Sequence, residues 1–300
     1  MELILTVLRI TAPVFLLGAV GAVWVRLLRW EYPLQFVTRL AMTVAVPCLI
    51  FTALMQAEIA PRALADLSLA ALAAYLVAIA LFWAITAAFG LDRRTYLAPL
   101  IFGNTGNIGL PLALFAFGEV GLSYAVVVFA VMALLTFTFG IWLVAGSTRV
   151  TALARDPVVI GTVAGALFLW QGWQTPGWLT DALRLAGQMA IPLMLVTLGV
   201  AVARLQPGRL GAAIWLSALK AGLSAAIALA AAAWFELEPV ARAVLVVQFI
   251  TPVAVTSYLL AERYRADAQA VAGLVVISTL MSLAVLPIAL GLLLPGLPQP

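Results

Sequence analysis

The chain has 300 residues, 65% of them hydrophobic and 9% charged, with 16 basic and 12 acidic side chains and a net charge of +4. Soluble domains carry about 45–50% apolar and about 25% charged residues, and one core of this size cannot hide so much oil. Histidine is absent and Cys48 is the single cysteine, which excludes a disulfide framework and the usual zinc ligand sets. The arginines stand singly or in pairs between apolar runs, so the positive balance is not a nucleic-acid footprint.

A bilayer-spanning helix needs about 20 apolar residues, and the chain reads as an all-α membrane protein of ten such spans. Met1-Glu2-Leu3-Ile4 lacks a positive n-region and a small-residue cleavage site, so it is expected to open the first helix rather than a signal peptide. The first five spans are placed at Leu3–Val25, Gln35–Met55, Leu64–Phe89, Thr95–Gly118 and Val120–Ala145. The second five are placed at Pro157–Trp173, Leu179–Ala203, Arg209–Phe235, Pro239–Leu260 and Ala268–Leu294. Asp156-Pro157 reads as an N-cap followed by proline at the first helical position, and Glu238-Pro239 loosely repeats it. Trp24, Trp30, Trp173, Trp178 and Trp234 fall at expected ends, where amphipathic rings prefer the headgroup layer.

Loop arginines set the orientation. Arg26, Arg29, Arg39, Arg93, Arg94, Arg149, Arg155, Arg204, Arg209, Arg263 and Arg265 follow odd-numbered spans, against Arg62, Arg184 and Arg242 on the other side. The positive-inside rule then puts both termini outside.

The halves resemble each other. Leu40-Ala41, Ala45-Val46-Pro47 and Thr52 recur as Leu185-Ala186, Ala190-Ile191-Pro192 and Thr197, with the prolines 145 residues apart. Pro13 and Pro157 are 144 apart, and Pro111 and Pro252 are 141 apart. This argues for a duplicated five-helix unit, residues 1–147 and 148–300. Because five is odd, the second copy inserts inverted, the arrangement in which secondary transporters build a site from broken helices near the midplane.

Two spans are expected to break. Phe102-Gly103-Asn104-Thr105-Gly106-Asn107-Ile108-Gly109-Leu110-Pro111 is too rich in glycine, asparagine and proline for a continuous helix in lipid. Unwound backbone survives at that depth only where it lines a cavity or is covered by protein. Gln248-Phe249-Ile250-Thr251-Pro252 is the counterpart in span nine, where Thr251 is expected to cap a half-helix starting at Pro252. The breaks are expected to cross, presenting half-helix N-termini to a small anion, with a carboxylate as the expected ligand. Close small-residue packing is the other explanation of the glycines. The candidate substrate-binding residues are Asn104, Thr105, Gly106, Asn107, Gly109, Pro111, Gln248, Thr251 and Pro252. Lys220, mid-way along span eight, joins them as the one clearly intramembrane charge. Its ammonium either attracts the anion or couples transport to protons, or it neutralises the carbonyl ends of the broken helices. No carboxylate lies deep in any span, so a proton or sodium relay lacks its usual residues, and no cofactor or metal is called for.

The stretch from Gly103 to Leu112 resembles the fourth-helix motif of the auxin efflux carrier family. Thr251-Pro252-Val253-Ala254 resembles that family's ninth-helix segment, and Pro47-Cys48-Leu49-Ile50-Phe51 and Ile191-Pro192-Leu193 its second and seventh helices. The resemblance covers the whole chain and is to the bacterial members, since Gly146 to Asp156 is too short for a regulatory loop. It implies the fold of bile-acid and sodium/proton transporters, with a scaffold of spans one, two, six and seven and a mobile domain of the rest. It further implies an inner-membrane homodimer that moves organic anions (malonate, malate or an auxin-like acid) by an elevator mechanism. Asn104, Pro111 and Pro252 match the family's site. A sodium-coupled symporter of the bile-acid type, with Gln248 near the ion, is the alternative; an enzyme is not expected.

Overall fold

The computed structural model describes residues 2–146 and 155–296. Arg149 and the expected repeat boundary at 147/148 lie outside them. In chain order the helices are α1 (Glu2–Arg26), α2 (Leu34–Met55), α3 (Pro61–Ala88), α4 (Arg93–Ile101), α5 (110–117) and α6 (119–145). They continue as α7 (Pro157–Gln171), α8 (Gly177–Arg204), α9 (Leu210–Trp234), α10 (Pro239–Phe249), α11 (Val255–Arg263) and α12 (Ala268–Leu293). Seven helical runs are long and apolar enough to cross a membrane. One of them, Thr105–Val144, is divided by Gly118, whose φ of 66° and ψ of −158° end α5 and start α6. Among the described residues no strand forms, only an isolated antiparallel bridge between Gly103 and Val253.

Local chemistry sets the ends. Asp156 Oδ1 accepts from Val158 N at 2.9 Å with Pro157 in the first turn, the cap expected for α7. Asp92 and Asp267 cap α4 and α12 in the same way, accepting from Arg94 N at 3.2 Å and Ala270 N at 3.0 Å. Glu238 differs. Its carboxylate makes no cap bond at α10 and instead accepts from the Tyr124 hydroxyl of α6. Pro47 and Pro192 have no N–H to give the preceding turn. That turn widens to π geometry over Ala41–Ala45 in α2, and α8 is interrupted at Met189.

Two groups of helices emerge from the packing. Small residues bring α1, α2, α7 and α8 together. A Cβ on Gly199 would strike the backbone of Gly18, one on Gly161 the backbone of Pro47, and one on Gly187 the backbone of Leu49. Such contacts are how membrane helices approach closely without a hydrophobic driving force. The remaining helices pack around the two breaks. Tyr75 of α3 lies against Phe249 and Phe102, with ring centroids 4.4 and 6.3 Å away, and so supports both broken segments at once.

Polar bonds follow the same division. Arg26 Nε donates to Ala203 O (2.6 Å) and the Tyr32 hydroxyl pairs with Thr197 (2.8 Å) in the first group. In the second, the exposed Arg94 guanidinium donates to Val144 O (3.0 Å) and Tyr264 O (3.1 Å), riveting the C-terminal ends of α6 and α11. Among the described residues, one long-range side-chain hydrogen bond joins the groups, from Ser123 Oγ of α6 to Ala53 O of α2 at 3.0 Å.

Candidate functional site

The two breaks meet. After Ile101 the chain turns extended at Phe102 (φ −93°, ψ 119°), and after Phe249 it unwinds through Thr251-Pro252-Val253 to an extended Ala254. The two unwound segments then pair. Asn104 N donates to Pro252 O at 2.7 Å and Ala254 N to Phe102 O at 3.4 Å. Gly103 makes this possible, because a Cβ there would meet Thr251 Oγ1 and lie 3.3 Å from Thr251 O. Backbone groups that a broken helix would otherwise leave unpaired in an apolar interior are thereby satisfied by the opposite break.

Each expected residue can now be placed. Asn104 caps the restarting helix, its Oδ1 accepting from Asn107 N at 3.3 Å, while Ile108 N and Gly109 N reach Asn104 O. Thr105–Gly109 forms one π turn, whose first N–H groups, on Thr105 and Gly106, have no preceding turn to bond. Gly109 lies against the Gln248 carboxamide, which joins the breaks a second time. Gln248 Nε2 reaches Ala125 O at 3.5 Å. Lys220 is 2% exposed, and its Nζ donates to Thr251 O at 2.9 Å. Asn104, Gly109, Gln248, Thr251, Pro252 and Lys220 are thus one connected cluster. Gly106 turns aside toward Phe129 and Met194, Asn107 is half-buried, and Pro111 is buried in the first turn of α5.

One expected detail is corrected. Thr251 caps nothing: its Oγ1 donates backward to Gln248 O at 2.6 Å, and the half-helix begins at Val255, not Pro252, with Ala254 as N-cap. The hydroxyl closes the end of α10 because Pro252 cannot donate and the extended Val253 instead gives its N–H to Ser278 Oγ (2.9 Å).

The cluster holds unpaired polarity. Asn104 Nδ2, Thr105 Oγ1 and Gln248 Oε1 are buried without a hydrogen-bond partner. Leaving such groups unpaired costs about 1–3 kcal/mol each, so each calls for a partner, whether water, an ion or a ligand. The Asn104 amide and the Thr105 hydroxyl, at the start of the π turn that leads into α5, give two donors beside the positive end of a half-helix.

A separate cavity of about 630 Å³ opens between the two groups of helices. Its walls are Leu49 of α2 and Gln56 just past its end, Leu114 of α5, Ser123 of α6, and Arg184 and Pro192 of α8, with Glu58 and Glu119 also lining it. The size suits a small-molecule ligand. None of the expected site residues lines it. It reaches α5, one to two turns beyond the π turn. Composition gave no pointer to this space, although Arg184 and Gln188, polar residues on the first half of α8 that line it, were a visible signal.

The sequence matches the model of a family described as membrane transport protein over residues 11–153 and 147–290, nearly the whole chain. An uncharacterized transporter of Methanocaldococcus jannaschii is 27% identical over 198 residues, covering 61% of this chain and 63% of that protein. The chain thus spans less than two thirds of that relative's length. With apolar helices and two paired breaks along the matched length, the chain belongs to this membrane transport protein family, the family of the auxin efflux carriers.

Proposed function

We propose that the protein is a secondary carrier that moves a small organic anion, with the paired breaks as its binding site. The observation that carries this reading is the set of unpaired donors, Asn104 Nδ2 and Thr105 Oγ1, at the start of a half-helix. In this reading ten spans form two inverted five-helix repeats with both termini outside, and the distortions before Pro47 and Pro192 are equivalent. The helices α3–α6 and α9–α12 slide as one body against a scaffold of α1, α2, α7 and α8. Support comes from the polar bonds, which stay inside each group apart from Ser123 to Ala53, so that little hydrogen bonding opposes sliding. The cavity is the vestibule that leads toward the breaks; Arg184 is its basic residue, and Glu58 and Glu119 also line it. A homodimer joined through scaffold helices in the bacterial inner membrane completes the picture, with malonate, malate or an auxin-like acid as substrate class.

The test is a thermal-shift series on purified protein with malonate, malate, indole-3-acetate and a matched cation, with and without sodium. A ligand at about 100 times its Kd stabilises by about 2.7 kcal/mol. The reading expects a saturable rise for at least one carboxylate that is lost in Asn104→Ala. No rise with any acid, or an equal rise in the variant, refutes it. The unpaired acceptor Gln248 Oε1 favours sodium-coupled symport as a second reading, which requires that the rise depend on sodium.

A further inference from the structure

A second space of about 10 Å³, at the lower limit for a single water, lies between α9, α12 and the second break and shares no residue with the large cavity. Lys220 lines it with Ser217, Thr251, Ser278 and Ser282. The oxygen atoms there are neutral. Thr251 O takes one of the three ammonium protons at 2.9 Å. Ser217 Oγ, one turn before Lys220 on the same helix, is buried without a partner. Ser278 Oγ accepts from Val253 N and donates to Val275 O (3.3 Å), and Ser282 Oγ donates to Thr279 O (2.6 Å), which leaves each serine oxygen acceptor capacity. No aspartate or glutamate lines the space.

A buried ammonium without a carboxylate is held by dipoles alone. Here those are the Thr251 carbonyl and the C-terminal end of α10, which carries about half a negative charge. A carbonyl, several hydroxyls and a negative helix end around one small volume are the ligand set of a hard cation. We propose that this space is a monovalent-cation site permanently filled by the Lys220 ammonium, a cation tethered to the chain. The crossing therefore carries its own positive charge, and no free cation is needed to hold the second break against the first. Combined with the carrier reading on which this consequence rests, the tethered ammonium offsets one negative charge of the bound acid, a share of the charge balance for which sodium is not needed.

The proposal is tested without transport, so it can fail independently of the carrier reading. Thermal unfolding of the full-length wild type, Lys220→Ala and Lys220→Met is followed in choline chloride. Each is then titrated with sodium chloride and, separately, methylammonium chloride at constant ionic strength. Wild type is expected to be indifferent to the exchange of cation. Lys220→Ala leaves the oxygens and a lysine-sized space, and its melting temperature is expected to fall in choline and to recover saturably with one of the two cations. At ten times the Kd the recovery corresponds to about an 11-fold gain in the folding constant. Lys220→Met keeps the volume but not the charge, and it is expected to fall without recovering. A Lys220→Ala protein that responds no more than Lys220→Met or wild type overturns the proposal. So does one that remains unfolded when the cations are supplied.

Discussion

Replacing Gly103 with alanine attacks the point where the two breaks touch. The added methyl lands on Thr251 Oγ1 and 3.3 Å from Thr251 O. Thr251 has little room to yield, because its hydroxyl is held on Gln248 O at 2.6 Å and its carbonyl accepts the Lys220 ammonium at 2.9 Å. Overpacking of this kind costs about 1–3 kcal/mol. Stretching the 2.7 Å bond from Asn104 N to Pro252 O adds about 1 kcal/mol. The sum is about 3 kcal/mol, which at about 2 °C per kcal/mol lowers the melting temperature by about 6 °C. Gly222→Ala is the matched control. Its methyl meets nothing within 4 Å on α9, and alanine is the better helix former by about 1 kcal/mol, so no loss is expected. Intrinsic tryptophan fluorescence of the purified variants during heating reads both. If Gly103→Ala melts within a degree of wild type, or Gly222→Ala costs as much, the pairing of the breaks is not what holds this region.

Three further outcomes are expected. Arg94→Met releases Val144 O and Tyr264 O, and the exposed position limits the loss to about 1 kcal/mol; amide exchange near residues 141–145 and 260–264 accelerates, and unchanged exchange there counts against the rivet. Gly199→Ala forces α1 off α8, since its Cβ would strike Gly18 backbone, and costs about 1–3 kcal/mol in thermal or denaturant unfolding; a neutral result refutes the close approach. Ser123→Ala removes the hydrogen bond between the two groups. At about 1 kcal/mol this shifts their equilibrium about fivefold, so labelling of a Leu114→Cys variant by an impermeant maleimide falls, and undiminished labelling shows that the bond does not hold this arrangement.

Much of this architecture is legible in the sequence because lipid leaves few choices. A run such as that of α9 or α12 has to be helical, and the Asp156 cap fixes where α7 starts. The breaks are legible for the same reason, glycine and proline being costly in a continuous helix, although the first is narrower than expected: only Phe102–Asn104 unwinds, and the chain is helical again from Thr105 through Pro111. Lys220 stands out by charge alone, but that it meets Thr251 O depends on how α9 packs on the second break. The role of Gly103 is hidden because a glycine without a special φ has no local signature; its need comes from a neighbour 148 positions away in Thr251. Thr251 misleads for a related reason. A hydroxyl before proline is a good N-cap in isolation, but here the pairing of the breaks holds the next residues extended, and the hydroxyl turns back to Gln248. The cavity between the groups arises from four helices that no local pattern brings together.

The most direct measurement is uptake of labelled malonate and malate into proteoliposomes containing the wild type or an Asn104→Ala/Thr105→Val double variant, with folding of both checked by their melting curves. Saturable uptake by the wild type, reduced at least tenfold in the folded double variant, is the expected result. Uptake of neither acid, or uptake that the double variant supports equally well, would contradict a carboxylate site at the paired breaks.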